Sequence, residues 1–270
     1  MALLSNPMKA LTLVCLFTLI GPLAGAQTIE QGRARRLSPA ARELLDGLLG
    51  RSAAKSDEGN DLRRQKRYAA SEAALQAAID ILKPAPGFQS GPKSELAETY
   101  LAEGLNELAA ETWRPLYKPD DPEVSIACGL AIAFARTHRA EEGAKIMSNF
   151  FDHHRRGVPM VEVTDLPLSS GATPEHVEAT AWLLWTVIQT DSAHPQEMIG
   201  RLDRASVLCP HNAAIHYNLA HLKEWLLQAS WKAVETDYTD AYRFGNKRMR
   251  EILKVTFSMN QAKTPDLTDK

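Results

Sequence analysis

Three histidines at a constant spacing are the first residues in this chain that could do chemistry. His211, His216 and His221 follow one another at intervals of five. Imidazole nitrogens are good zinc ligands, and helical pairs that share a metal lie three or four residues apart on one face. An interval of five turns each histidine about 140° away from the previous one. We therefore predict that these histidines hold no metal.

Other catalytic patterns are weak. Residues 87–94, Gly-Phe-Gln-Ser-Gly-Pro-Lys-Ser, superficially resemble a phosphate-binding loop, but one residue is missing between the glycines and a proline precedes the lysine. The sequence contains no His-Glu-x-x-His, Gly-x-Ser-x-Gly or Cys-x-x-Cys pattern. These features favour a protein that is not an enzyme and uses no cofactor. An enzyme that acts on the cell wall through a cleft between helices is the less favoured alternative.

The N-terminal segment has the order of a secretory signal peptide. Lys9 is followed by the apolar stretch Ala10–Ile20, a Gly21-Pro22 break and the small residues Ala24-Gly25-Ala26. We predict a signal peptide over residues 1–26, cleavage after Ala26 and a periplasmic location. An uncleaved anchor would need about 20 apolar residues, and the Gly-Pro break comes before that length is reached. A lipoprotein acylated at Cys15 is the other alternative.

Charge argues against nucleic acid and anionic lipid as partners. The sequence has 31 basic and 33 acidic residues, and removal of residues 1–26 takes away one lysine, which leaves 30 against 33. A nearly neutral chain has no general attraction for a polyanion. No second apolar stretch is long enough to span a bilayer. Cys128 and Cys209 are left after cleavage, and we expect them to be small buried residues rather than a disulfide.

The elements that would position a site repeat along the chain. Residues 90–123 and 124–157 fit a 34-residue period without gaps, with matching large and small apolar positions on two predicted helices each. These positions are Leu96, Ala97, Tyr100, Ala109, Trp113 and Leu116 in the first unit, and Leu130, Ala131, Phe134, Gly143, Met147 and Phe150 in the second. Small residues let paired helices approach closely, and large ones fill the space between neighbours.

A third junction of the same kind lies at residues 205–220. Here Ala205 is predicted to end one helix, Pro210 and Asn212 to form the turn, and Ala213 to begin the next helix. Together these units resemble the tetratricopeptide repeat family, whose period is about 34 residues. The resemblance implies an all-α, right-handed α-solenoid of helix-turn-helix repeats over residues 61–257 with terminal capping helices.

The repeat pattern has one interruption and one internal proline. Pro115 should kink or shorten the second helix of the first unit. Residues 158–173 carry no helical periodicity, and we predict an insertion that either lies across a groove or forms a plain surface loop. Thr173 is predicted to cap the next helix, with Pro174 at its first position.

Both ends of the predicted solenoid are less regular. In residues 27–60 we predict a short helix from Ser38-Pro39 to Gly50, followed by a polar linker over residues 52–60. At the other end, Lys247–Met259 is predicted to be an amphipathic capping helix, because terminal repeats need a polar outer face. Residues 258–270 are predicted to be a flexible tail.

The family resemblance also implies where a partner would bind, since the first helices of successive repeats line a concave groove. The matching positions are Ser94, Glu98, Ser125, Cys128, Ile132, Arg136, Tyr217, Asn218, His221 and Glu224. Asn218 stands where family members often carry an asparagine that hydrogen-bonds the ligand backbone, and a helix-stabilising polar contact between repeats is the alternative. The sequence lacks the paired lysines with which some members hold a terminal carboxylate.

Four tryptophans could serve either packing or binding: Trp182, Trp185, Trp225 and Trp231. We expect them mainly between helices, although aromatic residues are also enriched at interfaces. The candidate partner-binding set is Glu98, Arg136, Tyr217, Asn218, His221, Glu224 and Trp185. These features predict a non-catalytic periplasmic scaffold or adaptor that binds an envelope protein or peptide. A module that binds a small ligand or glycan through the tryptophan-rich third repeat, which runs from Pro174 to Pro210, is the alternative.

Overall fold

The computed structural model describes residues 38–154, 172–189 and 193–265, and these ranges contain helices and no strands. The all-α class is therefore confirmed for the described part of the chain. The predicted signal peptide over residues 1–26, nearly all of the predicted insertion over residues 158–173 and the end of the predicted tail lie outside the described residues.

Eleven α-helices follow one another along the described ranges. They are α1 (Pro39–Arg64), α2 (Tyr68–Ile81), α3 (Ser90–Glu103), α4 (Asn106–Trp113), α5 (Val124–Arg136), α6 (Ala140–His154), α7 (Pro174–Ile188), α8 (Pro195–Leu208), α9 (Ala213–Leu227), α10 (Trp231–Phe244) and α11 (Lys247–Met259). A 3₁₀ turn, Pro86–Phe88, precedes α3. Helices that are consecutive in sequence pack against each other, which is consistent with a helical repeat.

Several helices begin at a side chain that caps them. Ser38, Thr173 and Asn212 each accept a hydrogen bond from the backbone N–H three residues further on. Asn246 accepts hydrogen bonds from two backbone N–H groups at the start of α11. Such caps satisfy donors that have no partner inside the helix. The predicted cap at Thr173 and the predicted start of α9 directly after Asn212 are confirmed.

Small residues at the predicted packing positions let the helices meet. Ala97, Ala109 and Ala131 are fully buried. A Cβ atom on Gly143 would lie 2.9 Å from Val177 Cγ1 and 3.0 Å from the Ala131 carbonyl oxygen. Cβ contacts as short as the one to Val177 are essentially never observed, so α6 lies this close to α5 and α7 because position 143 carries no side chain.

The predicted linker over residues 52–60 is wrong, because α1 runs unbroken from Pro39 to Arg64. Its small polar residues form a face that packs on α2. Ser52 Oγ donates to the Ala78 carbonyl at 3.0 Å, and Ser71 Oγ of α2 donates to the Gly59 carbonyl at 2.8 Å. The small and polar residues of this segment, which are typical of a linker, allow α1 and α2 to pack closely.

The other boundary differences are smaller. α4 ends at Trp113, two residues before Pro115, so the predicted shortening of this helix is confirmed. α8 was predicted to end at Ala205, but it continues for three more residues and ends at Leu208. At the chain's end, Ala262 packs against the core formed by α10 and α11, so the predicted tail is ordered at least to this residue. Among the described helices, none combines the length and apolarity that crossing a bilayer requires.

Candidate functional site

The most open helix face that carries predicted site residues belongs to α9. With about 100° of rotation per residue, Tyr217, Asn218, His221, Glu224 and Trp225 occupy one side of this helix. All five are exposed or half-buried. The opposite sides of α9 are buried against the helices before and after it, through residues such as Ile215, Leu219 and Leu222. We call these five residues the α9 face.

The rings of the α9 face are held in place by α10. Tyr217 and His221, one turn apart, have nearly parallel rings with centroids 6.1 Å apart. Tyr217 also meets the Tyr238 ring of α10 edge to face at 6.2 Å. Tyr238 stacks in turn on Trp231 at 5.6 Å. Because edge-to-face and offset contacts are favourable, this arrangement holds the Tyr217 and His221 rings in place.

The single carboxylate of the α9 face is also oriented by α10. The buried Tyr238 hydroxyl donates a hydrogen bond to Glu224 Oε2 at 2.8 Å. Burial, followed by the charge of Glu224, raises the pKa of Tyr238, so this hydroxyl stays a donor at any physiological pH. Burial lowers the pKa of His221, which keeps its imidazole neutral near pH 7. The face therefore combines neutral rings with one fixed negative charge.

Asn218 uses part of its hydrogen-bonding capacity within α9. Its amide nitrogen donates to the Ala214 carbonyl at 2.7 Å, one turn back in the same helix. This contact lies within one helix, so it does not join two repeats as the alternative interpretation of Asn218 expected. An amide oxygen can accept a hydrogen bond from a backbone donor while the amide nitrogen donates elsewhere.

Trp225 belongs to this site although the sequence analysis did not select it. Its side chain is 41% exposed, and neighbouring Leu227 is 44% exposed. The signal that could have found it is spacing, because Tyr217, His221 and Trp225 follow one another at intervals of four and so form an aromatic stripe on a helix.

Glu98 and Arg136 lie away from the α9 face and are engaged with other residues of the chain. Glu98 Oε2 forms an ion pair with Arg63 Nη1 at 2.8 Å, and both side chains are mostly buried. Arg136 Nε donates to Glu178 Oε1 at 2.9 Å, and the guanidinium lies 5.9 Å from the centre of the Trp182 ring. These two predicted contacts are members of internal ion pairs.

Trp185 cannot contact a partner, and its prediction as a binding residue is wrong. Its side chain is only 2% exposed. Its ring stacks on the Trp182 ring with centroids 5.6 Å apart and meets the Trp113 ring edge to face with centroids 6.3 Å apart. The Arg201 guanidinium lies 4.5 Å from the centre of its ring. Trp182 is nearly as buried, so the expectation that most tryptophans fill gaps between helices holds for this pair.

The remaining groove positions of the first repeats are also covered. Ser94, Ser125, Cys128 and Ile132 are buried, and Ser94 Oγ accepts a hydrogen bond from the Trp113 indole at 2.9 Å. Cys128 and Cys209 are free thiols, as predicted, and burial raises the pKa of each. In the described part of the chain, no group of three or more His, Cys, Asp or Glu side chains is arranged to hold a metal ion.

The α9 face presents side chains of types that form non-covalent contacts. It has aromatic rings, an amide and a carboxylate on an open helix surface, without a nucleophile paired to a base. Comparison of the sequence with protein-family models gives no match, and comparison with curated proteins gives none either. The likeness to tetratricopeptide repeats therefore rests on the residues of the repeat register.

Proposed function

We propose that this chain is a non-catalytic scaffold or adaptor of the bacterial envelope, built as a right-handed tetratricopeptide-like solenoid, whose α9 face binds a segment of another envelope protein. One observation carries the proposal. Four residues that the repeat register selects as groove positions share an open helix face with an exposed tryptophan. Tryptophan and tyrosine are enriched among the residues that dominate the binding energy of protein interfaces.

Burial of Trp182 and Trp185 weighs against the alternative of a glycan-binding or small-ligand module. That alternative depended on the tryptophans of the third repeat, and both rings lie in the core. Binding through α9 uses a different tryptophan and a side surface of a helix, which suits a partner's chain more than an enclosed small molecule.

Site-specific photocrosslinking tests the proposed partner surface. We would replace Trp225 with p-benzoylphenylalanine in the full-length chain, irradiate intact cells and identify adducts by mass spectrometry. Leu108 on α4 is the matched control position, because it is 40% exposed against 41% for Trp225. We expect a discrete envelope-protein adduct from position 225 and none from position 108. Equal labelling at both positions, or no protein adduct together with turnover of a small molecule by the purified chain, would contradict the proposal.

Export is a separate part of the proposal and has its own test. Intact-mass measurement of the purified chain from the cell envelope should give a mature N-terminus at Gln27, after loss of residues 1–26. An N-terminus that still includes Lys9, or recovery only from the cytosol, would refute it.

A further inference from the structure

The first part of α1 extends beyond the helix that it packs against. α1 contains 26 residues and α2 contains 14, so α1 is about 18 Å longer. Ser52 of α1 bonds the Ala78 carbonyl, three residues before α2 ends at Ile81. Because the two helices run antiparallel, residues 39–48 of α1 extend past the end of α2.

The side of this segment that faces away from α2 is open. With about 100° of rotation per residue, six exposed residues lie together on that side, and we call them the outer face of α1: Ala40, Glu43, Leu44, Gly47, Arg51 and Ala54. Leu44 is 65% exposed. A cavity of about 540 Å³ lies on this face, and all of the residues that line it belong to α1. A Cβ atom on Gly47 would have no neighbour within 4 Å, so in the described part of the chain nothing covers the helix at this point.

Two opposite charges lie at equal distances on either side of Gly47. Glu43 comes four residues before this glycine and Arg51 four residues after it. Eight residues span about 12 Å along a helix, which is too far for these two side chains to pair within one chain. Within the described ranges, neither of them forms an ion pair. Arg51 Nε donates to the Gly47 carbonyl at 3.3 Å, and this bond holds the guanidinium on the outer face.

We propose that the outer face of α1 packs against the same face of a second copy of this chain, antiparallel, with the two-fold axis at Gly47. In such a pair, a residue that precedes Gly47 in one copy lies level with the residue that follows it by the same number in the other. Glu43 of each copy then lies level with Arg51 of the other copy. The contact is isologous, so this one complementary pair forms twice.

The small residues and the leucine of the outer face suit the same arrangement. Gly47 has no side chain where the helices cross, so the two backbones can approach closely. Ala40 of one copy lies level with Ala54 of the other, and both are small. The close approach also covers Leu44, which supplies apolar area to the contact. One helix face makes a small interface, so we expect a dimer with a dissociation constant in the micromolar range.

Charge reversal tests this interface by analytical ultracentrifugation of the purified full chain. Glu43→Arg alone and Arg51→Glu alone should each raise the dissociation constant at least about tenfold, because two attractive pairs become two repulsive ones. A mixture of these two variants should associate, since each copy then meets opposite charges on the other. Glu235→Arg on α10 is the matched control, because it changes the net charge by the same amount at another exposed position. It should leave the dissociation constant within about twofold.

Disulfide trapping tests the position of the two-fold axis. Gly47→Cys should give a covalent dimer on mild oxidation, because the two copies of this residue meet at the axis. Ala54→Cys should give none, since its two copies lie about 21 Å apart along the helices and a disulfide needs Cα atoms within about 7 Å. Cys128 and Cys209 are buried and should not contribute.

The inference is independent of the α9 face, so its failure would leave the adaptor proposal standing. A wild type that stays monomeric throughout a micromolar concentration series would overturn it. So would a dimer that tolerates both charge reversals, a mixture of the two variants that does not associate, or equal trapping at positions 47 and 54. Circular dichroism of each variant shows whether a loss of association comes from a loss of fold.

Discussion

At the scale of single residues, Trp185 and Trp225 should contribute very differently to the free energy of unfolding, because one is buried and the other is exposed. Trp185 contacts two other indoles and a guanidinium in the core, whereas the Trp225 ring stands at the edge of α9. Trp185→Ala should lower the free energy of unfolding by about 3–5 kcal/mol, because it removes a large buried side chain and leaves a cavity. Trp225→Ala should cost less than about 1 kcal/mol. Urea denaturation of both variants measures the difference, and equal losses would show that Trp225 is also a core residue.

A second prediction at the scale of single residues concerns Gly129, whose packing role the sequence pattern does not reveal. A Cβ atom on Gly129 of α5 would overlap the Trp113 ring of α4. Gly129→Ala should therefore destabilise the protein by about 1–3 kcal/mol despite the better helix propensity of alanine. Gly50→Ala in α1 is the matched control, since nothing lies within 4 Å of a Cβ atom there. The control should be neutral or stabilising by up to about 1 kcal/mol. In thermal unfolding, the Tm of Gly129→Ala should fall below that of the wild type, and the Tm of Gly50→Ala should be equal to it or higher.

At the scale of elements, one buried histidine fixes the turn between α8 and α9. His216 Nε2 lies 2.8 Å from the Pro210 carbonyl oxygen, and Nδ1 lies 3.8 Å from Asp237 Oδ1 of α10. The Nδ1–Asp237 distance is an ion-pair distance, too long for a hydrogen bond. Both neighbours of the ring are acceptors, so the doubly protonated imidazolium fits this place best. Lys223 pairs with the other oxygen of Asp237 and completes the network.

This geometry predicts a pH dependence of stability. Burial opposes the charged form of His216, but Asp237, the Pro210 carbonyl and Asp240 together raise its pKa above the ordinary value of 6.5. The stabilisation is then fully present below pH 6.5 and is lost as the pH rises through the raised pKa of the folded state. His221, whose pKa is lowered, acts in the opposite sense and stays the same in every variant compared.

The measurement is urea unfolding from pH 5.5 to 8.5 for the wild type and for His216→Gln. Glutamine keeps a donor for the Pro210 carbonyl and does not titrate. The stability difference between wild type and variant should shrink as the pH rises. A difference that is constant over this range would mean that the pKa of His216 is the same in the folded and unfolded states, and a difference that grows with pH would mean that folding lowers it.

Helix starts were predictable from sequence where a local signal decides them. Thr173 with Pro174, and Asn212 before α9, are caps whose side chains bond the first turn, and such bonds depend on nearby residues alone. The helix over residues 52–60 was not predictable in this way. Ser52 and Gly59 are poor helix formers by propensity, and their place in α1 depends on packing against the next helix, α2, through residues 26 and 12 positions further on.

The candidate site shows the same division. Tyr217, His221 and Glu224 follow from register and helical period. Glu98 and Arg136 were selected by register and Trp185 as a tryptophan of the third repeat, yet each has a partner that the sequence does not reveal. Exposure is a property of the whole assembly of helices, because a side chain is covered by whichever element comes to lie over it. Spacing can therefore select the face of a helix but not whether that face is open.

At the scale of the whole molecule, α1 and α8 are joined by ion pairs although some 130 residues separate them in sequence. Glu197 of α8 lies 3.6 Å from Arg63 Nη1 and 3.5 Å from Arg64 Nε of α1, and 3.1 Å from Arg201 Nη2 of α8 itself. Arg63 extends the network to Glu98 of α3. Burial opposes ionisation of Glu197, but these three arginines hold its pKa below the ordinary value. The network thus links the first helix to the third repeat.

This link changes how the molecule should unfold. A solenoid with contacts only between neighbouring repeats can lose its end units one at a time, whereas a long-range contact couples an end unit to a distant one. Glu197→Gln should therefore cost about 1–2 kcal/mol, between the values for exposed and fully buried pairs, and should speed hydrogen exchange in α1 and α2 more than in α10 and α11. Glu235→Gln, which removes an exposed charge from α10, is the control and should leave both quantities unchanged. If exchange in α1 is insensitive to Glu197, the ion pairs do not couple the two regions and each repeat is stabilised by its neighbours alone.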